Sequence, residues 1–158
     1  LVDLARLPNA AHLDRIYPQT VAVDVLVAII TISATKTVTL RRRTPEVEMD
    51  IVEVLFGDET RSGFTVSFWL APPNSARGKD GDVQQLRKTL GELRAGDLVL
   101  VRNIALHTWK GLVCGQSLAR RWARNSTMLI NLVDRPTVSE SLLLKWERVK
   151  TWRDAFVG

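Results

Sequence analysis

Apolar and polar positions alternate with a period of two over much of this chain, and the period lengthens to three or four chiefly in two places. Thr20 to Ser33, TVAVDVLVAIITIS, is rich in Val and Ile, which is strand composition. Its odd positions (Val21, Val23, Val25, Val27, Ile29) are apolar throughout, while its even positions mix Asp24 with Ala22, Leu26 and Ala28. It is long enough to bend and serve two sheets. Lys36 to Arg43, KTVTLRRR, either continues this strand or forms a loop arm; its three adjacent Arg cannot all point the same way on a strand. Glu46 to Gly57 predicts a second strand, with Val52, Val54 and Phe56 set against Ile51, Glu53 and Leu55. GDETRSG, 57 to 63, is dense in turn residues and predicts a hairpin. In the third strand, Phe64 to Ala71, one face carries Phe64, Val66, Phe68 and Leu70, and the other Thr65, Ser67 and Trp69. The first face is core. Trp69 shares its face with hydroxyl side chains, which predicts that it is at least partly exposed.

The longer period appears at Val83, Leu86, Leu90 and Leu93, an amphipathic helix that Asp82 is placed to cap and Ala95 and Gly96 to stop. Gly96 to Ser117 follows: a strand over Leu98 to Ile104, a loop LHTWKG with an aromatic and a cation at its tip, and a strand over Leu112 to Ser117. A basic segment, LARRWARN (118 to 125), leads into a last strand, Thr127 to Val133. Pro136 breaks the chain, and Ser139 to Phe156 predicts a C-terminal helix with Leu142, Trp146, Val149 and either Trp152 or Phe156 on one stripe. The division is thus a lead-in over 1–19 with a helical turn or two, a domain over 20–133, and an amphipathic helix over 134–158. Up to Ser117, three strands, a helix and two strands fit a mostly β fold, the five-stranded Greek-key barrel called the OB-fold, with a C-terminal helix added.

Composition narrows the function classes. At 158 residues and 46% hydrophobic the chain suits one domain with a sizeable core. No run approaches the roughly 20 apolar residues a membrane helix needs, and the N-terminus lacks the basic and apolar regions of a signal peptide. A start at Leu1 rather than Met reads as a fragment of something longer. Cys114 is the only cysteine, so no internal disulfide forms; on its strand it reads as a small buried hydrophobe. With only His12 and His107 besides, no metal or cofactor is expected. There is no P-loop and no GxGxxG, and Asp50, Glu53, Asp58 and Glu59 flank a hairpin as ordinary charges do, so no enzyme is expected. The net charge of +5 is compatible with nucleic acid without demanding it. Its distribution says more: Leu98 to Val133 contains no Asp or Glu, yet carries Arg102, Lys110, Arg120, Arg121 and Arg124.

VDVLVAIITIS (23 to 33), VSFWL (66 to 70) and GDLVLVRNIALHTWKGLVCGQS (96 to 117), in this order and spacing, resemble OB-fold domains of the replication protein A large-subunit type, including meiotic and telomeric relatives. The resemblance covers roughly residues 21 to 132. It implies single-stranded DNA lying across the barrel face, with one aromatic on the third strand and one between the fourth and fifth strands stacking on bases. Trp69 and Trp109 match those two positions, and Lys36 to Arg43 the basic loop between the first two strands. It also implies a nuclear protein of replication, repair, meiosis or telomeres. The zinc ribbon of one family member is absent.

Stacking on Trp contributes roughly 1–3 kcal/mol per base and tolerates any sequence. The competing reading makes Trp69 and Trp109 core residues at the barrel rim. Lys36, Arg41, Arg42, Arg43 and Lys110 are candidates for phosphate contacts, against the plainer reading of a solvated charged face. Arg102 reaches the groove or pairs with Glu53 or Asp50. Arg120 and Arg121 extend the groove or form a solvated turn. Leu142, Trp146, Val149, Trp152 and Phe156 pack on the barrel, or dock another subunit of a DNA-binding complex. A second class of function competes with DNA binding: an OB-fold used as a protein-interaction module, favoured by the moderate charge and by Asp24, Glu46, Glu48, Asp50 and Glu53 near the first two strands.

Overall fold

In a computed structural model of the protein, the residues described are 1–40, 47–118, 126–132 and 139–157. Strand β1 (Ala22–Ile32) joins the two halves of a barrel. Through Ala22 to Ala28 it pairs antiparallel with β5 (Leu98–Trp109), and through Ala28 to Ile32 with β3 (Val47–Asp58). The Val- and Ile-rich run therefore does bend to serve both neighbours. Its odd residues Val25, Val27 and Ile29 point into the barrel, while Leu26 and Ala28 are buried on the other side, beneath the C-terminal helix. That second burial explains why the even positions are only partly polar. Asp24 is half-buried there because its carboxylate accepts from the Asn103 amide at 2.9 Å.

KTVTL does both things the sequence allowed. As β2 (Lys36–Leu40) it follows β1 along the edge of β3, Lys36 opposite Ile51 and Leu40 opposite Val47, and so forms one side of a projecting hairpin arm. β4 (Arg61–Leu70) starts earlier than the residue pattern suggested, after a tight turn. The Asp58 carboxylate closes that turn, accepting from the Thr60 amide (2.8 Å), the Thr60 hydroxyl (2.6 Å) and the Arg61 amide (3.0 Å). β6 (Leu112–Ser117) pairs parallel with β4 and antiparallel with β5. The ring β1-β3-β4-β6-β5 returns to β1, a closed five-stranded barrel. β7 (Met128–Asn131) adds to β5 along Val99 to Arg102, beyond the end of β6.

Phe56, Phe64, Val66, Phe68, Val54 and Ile104 fill the interior at zero exposure, with Phe56 and Phe68 edge to face. Helix α1 (Ala10–Ile16) and helix α2 (Gly81–Glu92) add Leu13 and Leu90 to this core. The α2 cap is Asp80, which accepts from the Asp82 amide at 2.8 Å; Asp82 lies inside the helix. Leu4, fully buried, and Leu13 make the first residues part of the core.

Helix α3 (Glu140–Phe156) starts at Ser139, whose hydroxyl accepts from the Leu142 amide. Leu142, Trp146 and Val149 pack on Leu26, Ala28, Leu98, Leu100 and Leu132, and the Trp146 indole donates to the Leu132 carbonyl at 2.8 Å. These three side chains are taken up by the chain's own core, so of the two readings the sequence left open they follow packing on the barrel. Trp152 is half-buried against Gly57, where a Cβ would sit 2.5 Å from its ring. Only Phe156, 77% exposed, stands clear. Lys145, from the same helix, reaches the β3–β4 turn and is buried among Asp3 (2.7 Å), Asp58 (3.0 Å) and Glu59.

Candidate nucleic-acid interface

Two-residue periodicity and register decide which side chains share a surface. On β4 the half-buried Thr65, Ser67 and Trp69 point out of the barrel, opposite Leu55, Glu53 and Ile51 of β3. Ile51 in turn pairs with Lys36 of β2, so Lys36, Ile51 and Trp69 form one outward row. On the other flank Ser67 pairs with Gln116 of β6, giving a second row, Glu53, Ser67 and Gln116. Further along β6, Cys114 faces His107 and Leu112 faces Trp109 on β5.

Trp109 is not in a loop. β5 runs on to Trp109, and Lys110 and Gly111 alone make the turn, with φ of 51° and 77°. Two consecutive positive φ values make the type I′ turn that suits the twist of a hairpin. The strand's continuity is masked in the sequence by Asn103, at φ 59°, which interrupts the register of β1 against β5 between Val23 and Val25 and resets the alternation. The consequence is a Trp109 ring 60% exposed, with the Lys110 ammonium 4.5 Å from its centroid. A stacking surface and a cation are thus held together at one end of the face.

Trp69 marks the other end. Six residues along a strand at about 3.3 Å each place the two indoles roughly 20 Å apart. No single planar group the size of a base spans both. Beside Trp69, an open hollow of about 450 Å³ lies between the hairpin arm and the loop after β4, lined by Val47, Met49, Ala71, Pro72, Asn74 and Arg77 among others. The sequence reading missed it, since its walls come from two segments that carry no motif.

Of the other expected site residues, Lys36 is exposed on the Trp69 row. Arg41, Arg42, Arg43, Arg120 and Arg121 lie outside the described residues. Arg102 points outward opposite Met128 of β7, beyond the end of β6, and does not join the Trp69–Trp109 face. Asp50, its proposed partner, is instead engaged by Arg87 (3.0 Å) and the Thr37 hydroxyl (2.7 Å). Cys114 is half-buried on the outer face rather than in the core; its neighbours Val113 and Gly115 point inward. Burial pushes its thiol up, an effect that the charge of Arg61 opposes. Burial also holds the His107 imidazole below its usual value, and its Nδ1 has no hydrogen-bond partner among the described residues. The pair is therefore biased toward neutral thiol and neutral imidazole, the reverse of the charge state that activates a cysteine nucleophile.

No protein-family model matches the chain, nor does any curated protein sequence. Solved structures do. The replication factor A related protein of Methanobacterium thermoautotrophicum aligns over 84% of this chain and 90% of its own, at 15% identity and TM-score 0.47. Pot1 (protection of telomere), solved in complex with single-stranded DNA, aligns over 87% of this chain and 78% of its own, at 14% identity and TM-score 0.52. Fission yeast Pot1, also solved with single-stranded DNA, aligns over 99% of this chain at 11% identity and TM-score 0.52; this chain spans 51% of it. The chain is an OB-fold. In OB-fold terms Trp69 stands on the third barrel strand, Trp109 at the turn between the fourth and fifth, and the β2–β3 arm is the connection between the first and second.

Proposed function

We propose that the outer face formed by β3, β4, β6 and the end of β5 binds single-stranded DNA without catalysis, as one module of a nuclear genome-maintenance assembly in replication, repair, meiosis or telomere protection. The observation that carries this reading is the placement of Trp69 and Trp109 on one outward face of the barrel, Trp109 under the Lys110 ammonium and Trp69 on the same row as Lys36, with Ile51 of β3 between them. Indoles at this exposure stack on bases of any sequence, and flanking cations neutralise phosphates. The fold shared with Pot1, which was solved with single-stranded DNA, supports it. Arg41 to Arg43, which follow β2 in the sequence, and Arg120 and Arg121, which fall between β6 and β7 in the sequence, are further phosphate contacts in this proposal. For a partner subunit the C-terminal helix offers the Trp152–Phe156 edge, whose rings lie 6.3 Å apart, and not the buried stripe.

The test is fluorescence anisotropy with a labelled mixed-sequence oligonucleotide. Affinity should fall steeply as salt rises. Trp69→Ala and Trp109→Ala should each weaken binding by about 5- to 150-fold, the range that loss of one stacked base gives. Absence of binding at low salt would reject the proposal and leave the protein-interaction module as the reading to pursue.

A further inference from the structure

The middle of the candidate face is not basic. Between the two tryptophans runs the row Glu53, Ser67 and Gln116, fixed by strand register across β3, β4 and β6. Glu53 is exposed, and among the described residues its carboxylate makes no hydrogen bond or ion pair; only its backbone is engaged, by Ser33. Neither the Ser67 hydroxyl nor the Gln116 amide has a partner among the described residues. This is a row of uncommitted polar groups in the centre of a face whose ends stack and neutralise.

A carboxylate there repels a phosphodiester. What it accepts well is an N–H donor, and on a strand of nucleic acid those belong to base edges. Ser67 is opposite Glu53, and Trp69 is the next outward residue on β4, the diagonal neighbour roughly 7–8 Å away. A base stacked on Trp69 therefore carries its edge toward Glu53. Cytosine, adenine and guanine all present an exocyclic amine. Thymine presents one N–H between two carbonyl oxygens, both of which a carboxylate repels.

We propose that Glu53 makes the Trp69 end of the face selective for amino-bearing bases and against thymine, with Ser67 and Gln116 completing the polar edge. The inference rests on the single-stranded DNA reading and gives it a base preference that stacking alone lacks.

The experiment compares labelled oligo-dC, oligo-dA and oligo-dT of one length, at one salt concentration, on the wild-type chain and on Glu53→Gln. Wild type should bind oligo-dC and oligo-dA about tenfold more tightly than oligo-dT, the scale of one well-placed charged hydrogen bond. Glu53→Gln keeps the shape, removes the charge and adds a donor that thymine carbonyls accept. It should raise oligo-dT affinity and bring the dC-to-dT ratio close to one. A wild-type ratio near one, or a ratio that Glu53→Gln leaves unchanged, overturns the base preference while binding itself stands. Failure of all three oligonucleotides to bind at low salt overturns both readings.

Discussion

Trp109 owes its exposure to the two residues after it. Lys110 and Gly111 both adopt positive φ, and the short turn leaves no chain to cover the indole. Gly111 at φ 77° sits where a Cβ is strained, although nothing else crowds it. Gly111→Ala should cost about 1–2 kcal/mol of stability, read as a lower unfolding midpoint in denaturant. It should also weaken oligonucleotide binding beyond that small loss, because the turn positions both ring and ammonium. The aromatic–cation tip was legible in the letters WKG. What hid its geometry was Asn103, whose positive φ shifts the alternation and made the second half of β5 read as loop. A bulge is a backbone event, and one Asn among apolar residues does not announce it.

At the scale of elements, α3 shows how a stripe of apolar residues can be read two ways. Leu142, Trp146 and Val149 recur at helical spacing, which is equally the signature of a helix docking on a partner and of one docking on its own barrel. The decision lay in β1, whose even positions Leu26 and Ala28, with Leu98 and Leu100 of β5, offer a second apolar face outside the barrel. Gly57 completes the seat, since its missing Cβ is where the Trp152 ring lies. Gly57→Ala should destabilise the fold by about 1–3 kcal/mol through overpacking. Trp152→Ala should remove most of that penalty in the double variant, a coupling that thermal or denaturant unfolding of the four proteins measures. Because α3 covers β1 and the start of β5 at Leu98 and Leu100, whereas Trp69 stands on β4 and Trp109 at the far end of β5, neither change should alter oligonucleotide affinity of the folded protein.

Across the whole molecule, Lys145 ties together segments far apart in sequence: Asp3 near the start, Asp58 and Glu59 at the β3–β4 turn, and α3 near the end. Burial alone would raise the Asp58 carboxyl, but hydrogen bonds from the Thr60 hydroxyl, the Leu4 amide, Lys145 and the Thr60 amide hold it below the ordinary 3.8. Burial alone would lower the Lys145 ammonium, but hydrogen bonds to Asp3, Glu59 and Asp58 and the Asp58 charge hold it above the ordinary 10.5. The signs follow from linkage. Asp58 contributes stability that is fully present above its unfolded value and is lost as pH falls below 3.8 through its lowered folded value. Lys145 contributes stability present below its unfolded value and lost as pH rises above 10.5 through its raised one. Unfolding midpoints measured across pH should therefore be flat between these limits with respect to this cluster, and Asp58→Asn should shallow the acid limb. Lys145→Met should cost about 3 kcal/mol near neutral pH, because it leaves a buried carboxylate without its cation.

Taken alone, the sequence determined the inward faces of β1 and β4, the helix between β4 and β5, and the outward placement of Trp69 and Trp109. Each of these follows from local periodicity, which side-chain alternation imposes whatever the rest of the chain does. It did not determine which outward rows align. The alignment of Lys36 with Ile51 and Trp69 in one row, of Glu53 with Ser67 and Gln116 in another, the exclusion of Arg102 from that face, and the partners of Lys145 all depend on strand register and barrel closure. Those are contacts between residues distant in sequence, settled only when burial of both faces of β1 fixes how the strands slide past one another.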